Sequence, residues 1–174
     1  MHNKVVYQAA KSLDALGIPV LRFNFRGTGL SAGEHDRGRG EVDDIRAALD
    51  FLSSEFPATP LLVCGFSFGC WVGLRAGCLD DRVPEVIALG TPVNTTDFSF
   101  LGECEKPKLF VQGENDQFGD VAKVEKLVAS VAGENKLVVV GQADHFFAGK
   151  LSDLHTAITE WVSERHPELR QPIA

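Results

Sequence analysis

The amino-acid sequence predicts a doubly wound α/β domain with a mainly parallel sheet, on three observations. Five short aliphatic or β-branched runs recur at residues 18–23, 61–65, 86–90, 109–113 and 137–141. Stretches whose apolar residues have helical spacing separate them. Glycines stand at the carboxyl ends of the last four runs.

Uninterrupted apolar runs of this length suit strands covered on both faces, the condition of a parallel sheet. The first run follows a stretch, 4–16, that reads as an amphipathic helix. A loop punctuated by Gly27, Gly29 and Gly33 comes next, then residues 41–56. There Val42, Ile45, Leu49 and Leu52 fall on one side and Asp43, Asp44, Arg46 and Asp50 mostly elsewhere, the pattern of a helix with one buried face. The second run leads into a helix-compatible stretch at 70–77, the fourth precedes helical spacing at 121–131, and the fifth precedes helical spacing at 151–162. Strand and helix in alternation imply right-handed crossovers and a layered α/β domain. In open α/β sheets ligands sit beyond the carboxyl ends of the strands. Gly65, Gly90, Gly113 and Gly141 mark that rim, and the chemistry is expected there.

The 174 residues read as one domain, 1–174, with no repeat, low-complexity tract or linker; 44% are hydrophobic and 24% charged, ordinary globular values. A net charge of −7 with scattered basic residues excludes the clustered basic face that nucleic-acid binding requires. The first fourteen residues lack the apolar core of a secretory leader, and no apolar run reaches the roughly 18 residues of a membrane span, so a cytoplasmic protein is expected. Cys64, Cys70, Cys78 and Cys104 have neither CxxC nor zinc-ligand spacing, and free buried thiols are expected of all four. Neither a metal nor a cofactor is implied.

After the second run comes Gly65-Phe66-Ser67-Phe68-Gly69, a Gly-x-Ser-x-Gly pentapeptide between a strand and a helix. A turn in that setting forces the serine into a strained backbone conformation and lifts its hydroxyl clear of the sheet, with the glycines keeping neighbouring backbone out of the way. A serine hydroxyl is a poor nucleophile until a base takes its proton and a carboxylate orients that base. The chain supplies both, in the order Ser, Asp, His. Asp116 lies in Gly113-Glu114-Asn115-Asp116 past the fourth run, and His145 in Ala143-Asp144-His145-Phe146-Phe147 past the fifth. Glu114 and Asp120 are rival acids, and Asp120 also suits the N-cap of the helix near Val121. His2, His35, His155 and His166 fall in the terminus, a polar loop or helices, where surface or packing roles are expected.

These stretches, together with Phe23-Asn24-Phe25-Arg26-Gly27-Thr28-Gly29-Leu30-Ser31, resemble the α/β-hydrolase superfamily. Within it they are similar to small lidless bacterial hydrolases related to dienelactone hydrolase and to prolyl-oligopeptidase catalytic domains. The resemblance spans the chain at regular intervals. It implies Ser67 as nucleophile, Asp116 as acid and His145 as base, with Arg26 organising loops. Dienelactone hydrolases carry Cys where this chain has Ser67, which favours ester chemistry over their reaction. Only about sixteen residues separate Gly90 from Pro107, too few for the helical cap of many relatives, so an open site is implied.

The resemblance also implies an oxyanion hole with two backbone donors, one from Phe68 and one from a loop between the third strand and the first helix. The chain begins in or just before that helix. The expectation is therefore an α/β-hydrolase fold lacking its first strands and cap domain, incomplete at its amino terminus. In the family's strand order the third strand lies between the runs at 18–23 and 61–65, which are then expected about 9–10 Å apart, two strand spacings. Phe66, Phe118 and Phe146 are candidates to line an apolar pocket, with Phe98, Phe100 and Phe147 nearby; core or rim packing is the alternative for all. The function implied is hydrolysis of a small ester or thioester through an acyl-enzyme. A small peptidase or amidase using the same triad, or a non-catalytic binding domain of this fold, are the other readings.

Overall fold

A computed structural model describes residues 3–170, apart from the side chain of Arg170; His2 lies outside the described residues. Helix α1 (Lys4–Asp14) begins on Asn3, whose side-chain oxygen accepts from the N–H groups of Val5 and Val6 at 2.9 and 3.1 Å. Such a cap satisfies donors that the first helical turn leaves free. Helix α2 (Arg39–Glu55) starts two residues before the run that predicts it, because Glu41 reaches back. Its buried carboxylate accepts from the N–H groups of Asp36 and Gly38 at 2.8 and 2.7 Å. Burial pushes that carboxyl up, but these hydrogen bonds and nearby His35 outweigh it and hold the group below its ordinary range.

Strands β1 (Leu62–Phe66), β2 (Glu85–Leu89), β3 (Lys108–Gly113) and β4 (Asn135–Val140) form one parallel sheet in sequential order. They alternate with α3 (Phe68–Leu79), α4 (Val121–Ser130) and α5 (Leu151–Arg165). Strand side chains alternate between faces, so each face has its own core. On one, Leu109 and Val111 pack with Val5 and Leu13 of α1 and with Leu154, Ile158 and Trp161 of α5. On the other, Val86, Ala88 and Phe110 pack with Ile45 and Leu49 of α2, Leu74 of α3 and, partly buried, Leu127 and Val128 of α4. Helices therefore cover both faces, the doubly wound arrangement. Between β2 and β3 there is a single 3₁₀ turn, Ser99–Glu103, and no cap.

Two sequence expectations are corrected. Residues 18–23 form no strand: they run irregularly beside α1, with Val20, Leu21 and Phe23 about two-fifths exposed. The physical reason is the lack of a partner, since a strand exists only through paired backbone. Between this segment and β1 lies a cavity of ≈ 840 Å³, lined by Leu13, Ile18, Leu21, Phe23, Leu62 and Cys64 among others. The two segments both line this groove and share no strand pairing. The second correction concerns the cysteines. Cys64 and Cys70 are free, with burial pushing both thiols up to about 12, whereas Cys78 and Cys104 form a disulfide. Packing of the end of α3 against the segment after the 3₁₀ turn brings their Cα atoms to 5.6 Å, within bridging range.

Candidate active site

The turn after β1 places Ser67 at φ 55°, ψ −120°, a conformation costing a non-glycine residue about 1–3 kcal/mol. A hydrogen bond from the Ser67 N–H to the Leu89 carbonyl at 2.9 Å ties the turn to the end of β2. Gly65 is required here, because a Cβ at that position would meet the Gly69 carbonyl oxygen at 2.2 Å. Gly69 is under no such demand: a Cβ there would come no closer than 3.8 Å, to Phe25, so only one of the two flanking glycines is sterically forced.

Asp116 and His145 arrive on neighbouring loops that cross. The N–H of Asn115 donates to the Ala143 carbonyl at 2.8 Å, and a Cβ on Gly113 would sit 2.7 Å from the carbonyl oxygens of Ala143 and Asp144. The loop that carries His145 is also held from within, Asp144 accepting from the N–H groups of Phe146 and Ala148 at 3.0 and 2.9 Å. The result is a continuous relay. His145 Nδ1 lies 2.8 Å from Asp116 Oδ2 and Nε2 lies 2.9 Å from Ser67 Oγ. A carboxylate only accepts, so Nδ1–H donates to it and Nε2 is left to accept from the serine hydroxyl. Asp116 and His145 are buried, at 6% and 2% exposure, and Ser67 is partly accessible.

The rival acids serve backbone instead. Glu114 accepts from the Gln142 N–H at 2.7 Å, and Asp120 caps α4 by accepting from the Ala122 N–H at 3.0 Å. Three phenylalanines named from the sequence surround the imidazole, with ring centroids 4.8 Å (Phe66), 4.7 Å (Phe118) and 5.2 Å (Phe146) from it. Phe98 and Phe147 instead belong to the core, and Phe100 stacks on Phe98. Phe68 opens α3 with its N–H free of any protein acceptor among the described residues, while its ring packs on Phe25, His35 and Trp71.

Arg26 pairs with Asp44 through Nε at 3.0 Å and Nη2 at 2.8 Å, and its N–H reaches the same carboxylate at 2.9 Å, pinning the glycine-rich loop to α2. Arg26 holds the Asp44 carboxyl below its ordinary range against the opposing effect of burial. His155 meets Ser12 and His166 meets Glu85, both away from the relay. His35 pairs with Glu41 at 2.7 Å and lies against Phe68, a proximity the sequence reading missed. It also missed Gln112, which contacts Asp116; a polar residue inside an apolar run was the one available signal.

The family model of the alpha/beta hydrolase domain matches residues 1–166. An uncharacterized protein of Rickettsia prowazekii (strain Madrid E) is 39% identical over 171 residues, covering 93% of this chain and 72% of that protein. Among solved structures, an alpha-beta serine hydrolase homologue from Coxiella burnetii superposes with a TM-score of 0.88 at 35% identity, over 93% of this chain and 77% of that one. XC6422 from Xanthomonas campestris, a serine hydrolase without a lid, gives 0.89 at 38% identity over 99% and 77%. Matched along most of its length in both sequence and backbone, and uncapped between β2 and β3, the chain belongs to the α/β-hydrolase domain family in its lidless form.

Proposed function

We propose that the chain is a serine hydrolase acting on a small ester or thioester through an acyl-enzyme. The observation that carries this is the unbroken hydrogen-bond path from Ser67 through His145 to Asp116 on the carboxyl rim of the sheet. Ser67 Oγ attacks the acyl carbonyl carbon as its proton passes to His145 Nε2, and Asp116 stabilises the imidazolium. The carbonyl oxygen, now an oxyanion, accepts from the Phe68 N–H, which the start of a helix leaves unpaired. Collapse of the tetrahedral intermediate expels an alcohol or thiol, which takes the proton from His145. Water, deprotonated by the same imidazole, then releases the acid and restores Ser67.

Phe66, Phe118 and Phe146 form the apolar surround of the reacting centre. Phe118 and Phe146 are 40% and 53% exposed beside the nucleophile, which suits an apolar acyl or alcohol group docking on them. The partner is a small molecule. Among the described residues no helix is long and apolar enough to cross a membrane. Cytoplasmic placement is part of this reading, although disulfides such as Cys78–Cys104 are rare in a reducing compartment.

The test is reaction with a fluorophosphonate, which forms an Oγ–P bond and loses fluoride only at a base-activated serine. Mass spectrometry is expected to map a single adduct to Ser67, and Ser67→Ala to abolish it. An adduct at a different serine, or none at all, would overturn the reading.

A further inference from the structure

We propose that Gln112 is a positioning residue for Asp116, holding the acid's carboxylate in register with His145; this rests on the hydrolase reading above. Gln112 sits on β3 just before the acid loop, with its side chain fully buried. All of its strongest hydrogen-bonding capacity is used. Oε1 accepts from the Thr91 N–H at 2.7 Å, while Nε2 donates to Asp116 Oδ2 and to the Gly119 carbonyl, both at 2.8 Å. The amide has one workable orientation, because the Thr91 N–H can only donate and the carboxylate and carbonyl can only accept.

Three features tie this amide to the reaction as well as to the fold. Nε2 reaches the same carboxylate oxygen, Oδ2, that accepts from His145 Nδ1, so it fixes the atom that orients the base. The other oxygen, Oδ1, is held by the N–H groups of Phe118 and Gly119 at 2.8 and 3.2 Å, which leaves Gln112 as the side-chain hold on Oδ2 opposite the imidazole. Room for the amide has been kept: a Cβ on Gly119 would lie 2.5 Å from Gln112 Nε2 and 2.1 Å from the Thr91 carbonyl oxygen. Through Thr91, Gln112 also joins the acid loop to the end of β2, where Gly90 packs against the imidazole; a Cβ there would lie 3.3 Å from His145 Nδ1. Without the amide, Asp116 keeps its charge but loses a donor, and Oδ2 can turn away from the base.

Gln112→Met keeps the length and removes both donor and acceptor. With circular dichroism and melting to establish folding, kcat on p-nitrophenyl acetate and the fluorophosphonate rate at Ser67 are expected to fall about 10- to 100-fold, the range for one hydrogen bond to a charged group, with KM little changed. In an Asp116→Asn background the same substitution is expected to add almost nothing, because residues acting as a unit are non-additive. A purely structural role would instead cost the same factor in both backgrounds, and that result overturns the proposal. If Gln112→Met does not fold, Gln112→Glu decides. It keeps the acceptor toward Thr91 but presents oxygen to Asp116, so wild-type rates in a folded Gln112→Glu overturn the proposal and a comparable loss supports it. Failure of both variants to fold also overturns it, since folding would then be the residue's role. Absence of labelling in the unsubstituted chain removes the hydrolase reading itself, whereas normal labelling in the variants removes only the role of Gln112.

Discussion

Asp116 accepts four hydrogen bonds, from Gln112, Phe118, Gly119 and His145, while its loop neighbours Glu114 and Asp120 each brace a backbone N–H. On the proposed function, this division of labour among three acids within seven residues separates chemistry from scaffolding. Asp116→Asn is expected to fold normally and lose turnover on the order of 10⁴-fold, by favouring the wrong imidazole tautomer. Glu114→Gln and Asp120→Asn retain an acceptor oxygen and are expected to stay within a few-fold of the parent in kcat, since Asn caps helices as well as Asp does. If either is more damaging than Asp116→Asn, the acid has been misassigned. Ser67, Asp116 and His145 were legible in the sequence as residues that would meet, because each stands just past an apolar run, on one rim of the sheet. Gln112 and His35 were not, because their meaning comes from partners that only the fold supplies, Thr91 and Gly119 for the one, Glu41 and Phe68 for the other.

At the scale of elements, β3 carries a buried polar residue at each end of one face: Gln112 at its exit and Lys108 at its entry, with Phe110 between them. The Lys108 amino group donates to the carbonyls of Cys104, Lys106 and Ala132, fastening the strand to the segment before it and to the turn after α4. Burial pushes its pKa down from 10.5 to about 8. Between those values the unfolded chain holds the proton and the folded chain does not, so stability rises with pH through the window; this contribution is complete above 10.5 and lost as pH falls through about 8. Thermal melts of the parent and of Lys108→Met, compared from pH 7.5 to 10.5, should diverge in the parent's favour as pH rises. A gap that stays constant with pH would exclude the linkage. Helices α2, α4 and α5 were readable from periodicity because each buries one stripe, and the four strands from uninterrupted apolar runs, although only β2 and β3 lie wholly inside. The run at 18–23 has a strand's composition, but pairing is a property of two segments, and among the described residues no strand pairs with it. The disulfide was equally hidden, since Cys78 and Cys104 are separated by 26 residues and meet only through packing.

At the scale of the whole molecule, the groove beside β1 is expected to set behaviour in solution. It combines an unpaired sheet edge with an apolar lining, a surface that recruits other strands and apolar dyes. The 174-residue chain is expected to bind a dye such as anilinonaphthalene sulfonate and to show an average mass that rises with concentration in sedimentation. A dye-silent monomer across the concentration range would mean that the groove closes in water.

The same geometry bears on how activity is lost with heat. Every residue of β1 and most of β4 are half-buried, whereas every residue of β2 and β3 is buried, and β1 leads into Ser67. Asp116 follows β3 and His145 follows β4, so two of the three residues proposed for catalysis hang on the margins of the sheet and one on its interior. Proteins open locally first where buried contacts are fewest. Fraying of either margin would separate the hydroxyl from the imidazole while β2 and β3 stay assembled. Inactivation is therefore expected to be a sub-global event with a free energy lower than that of global unfolding, and the lifetime of the assembled site to follow the two margins of the sheet.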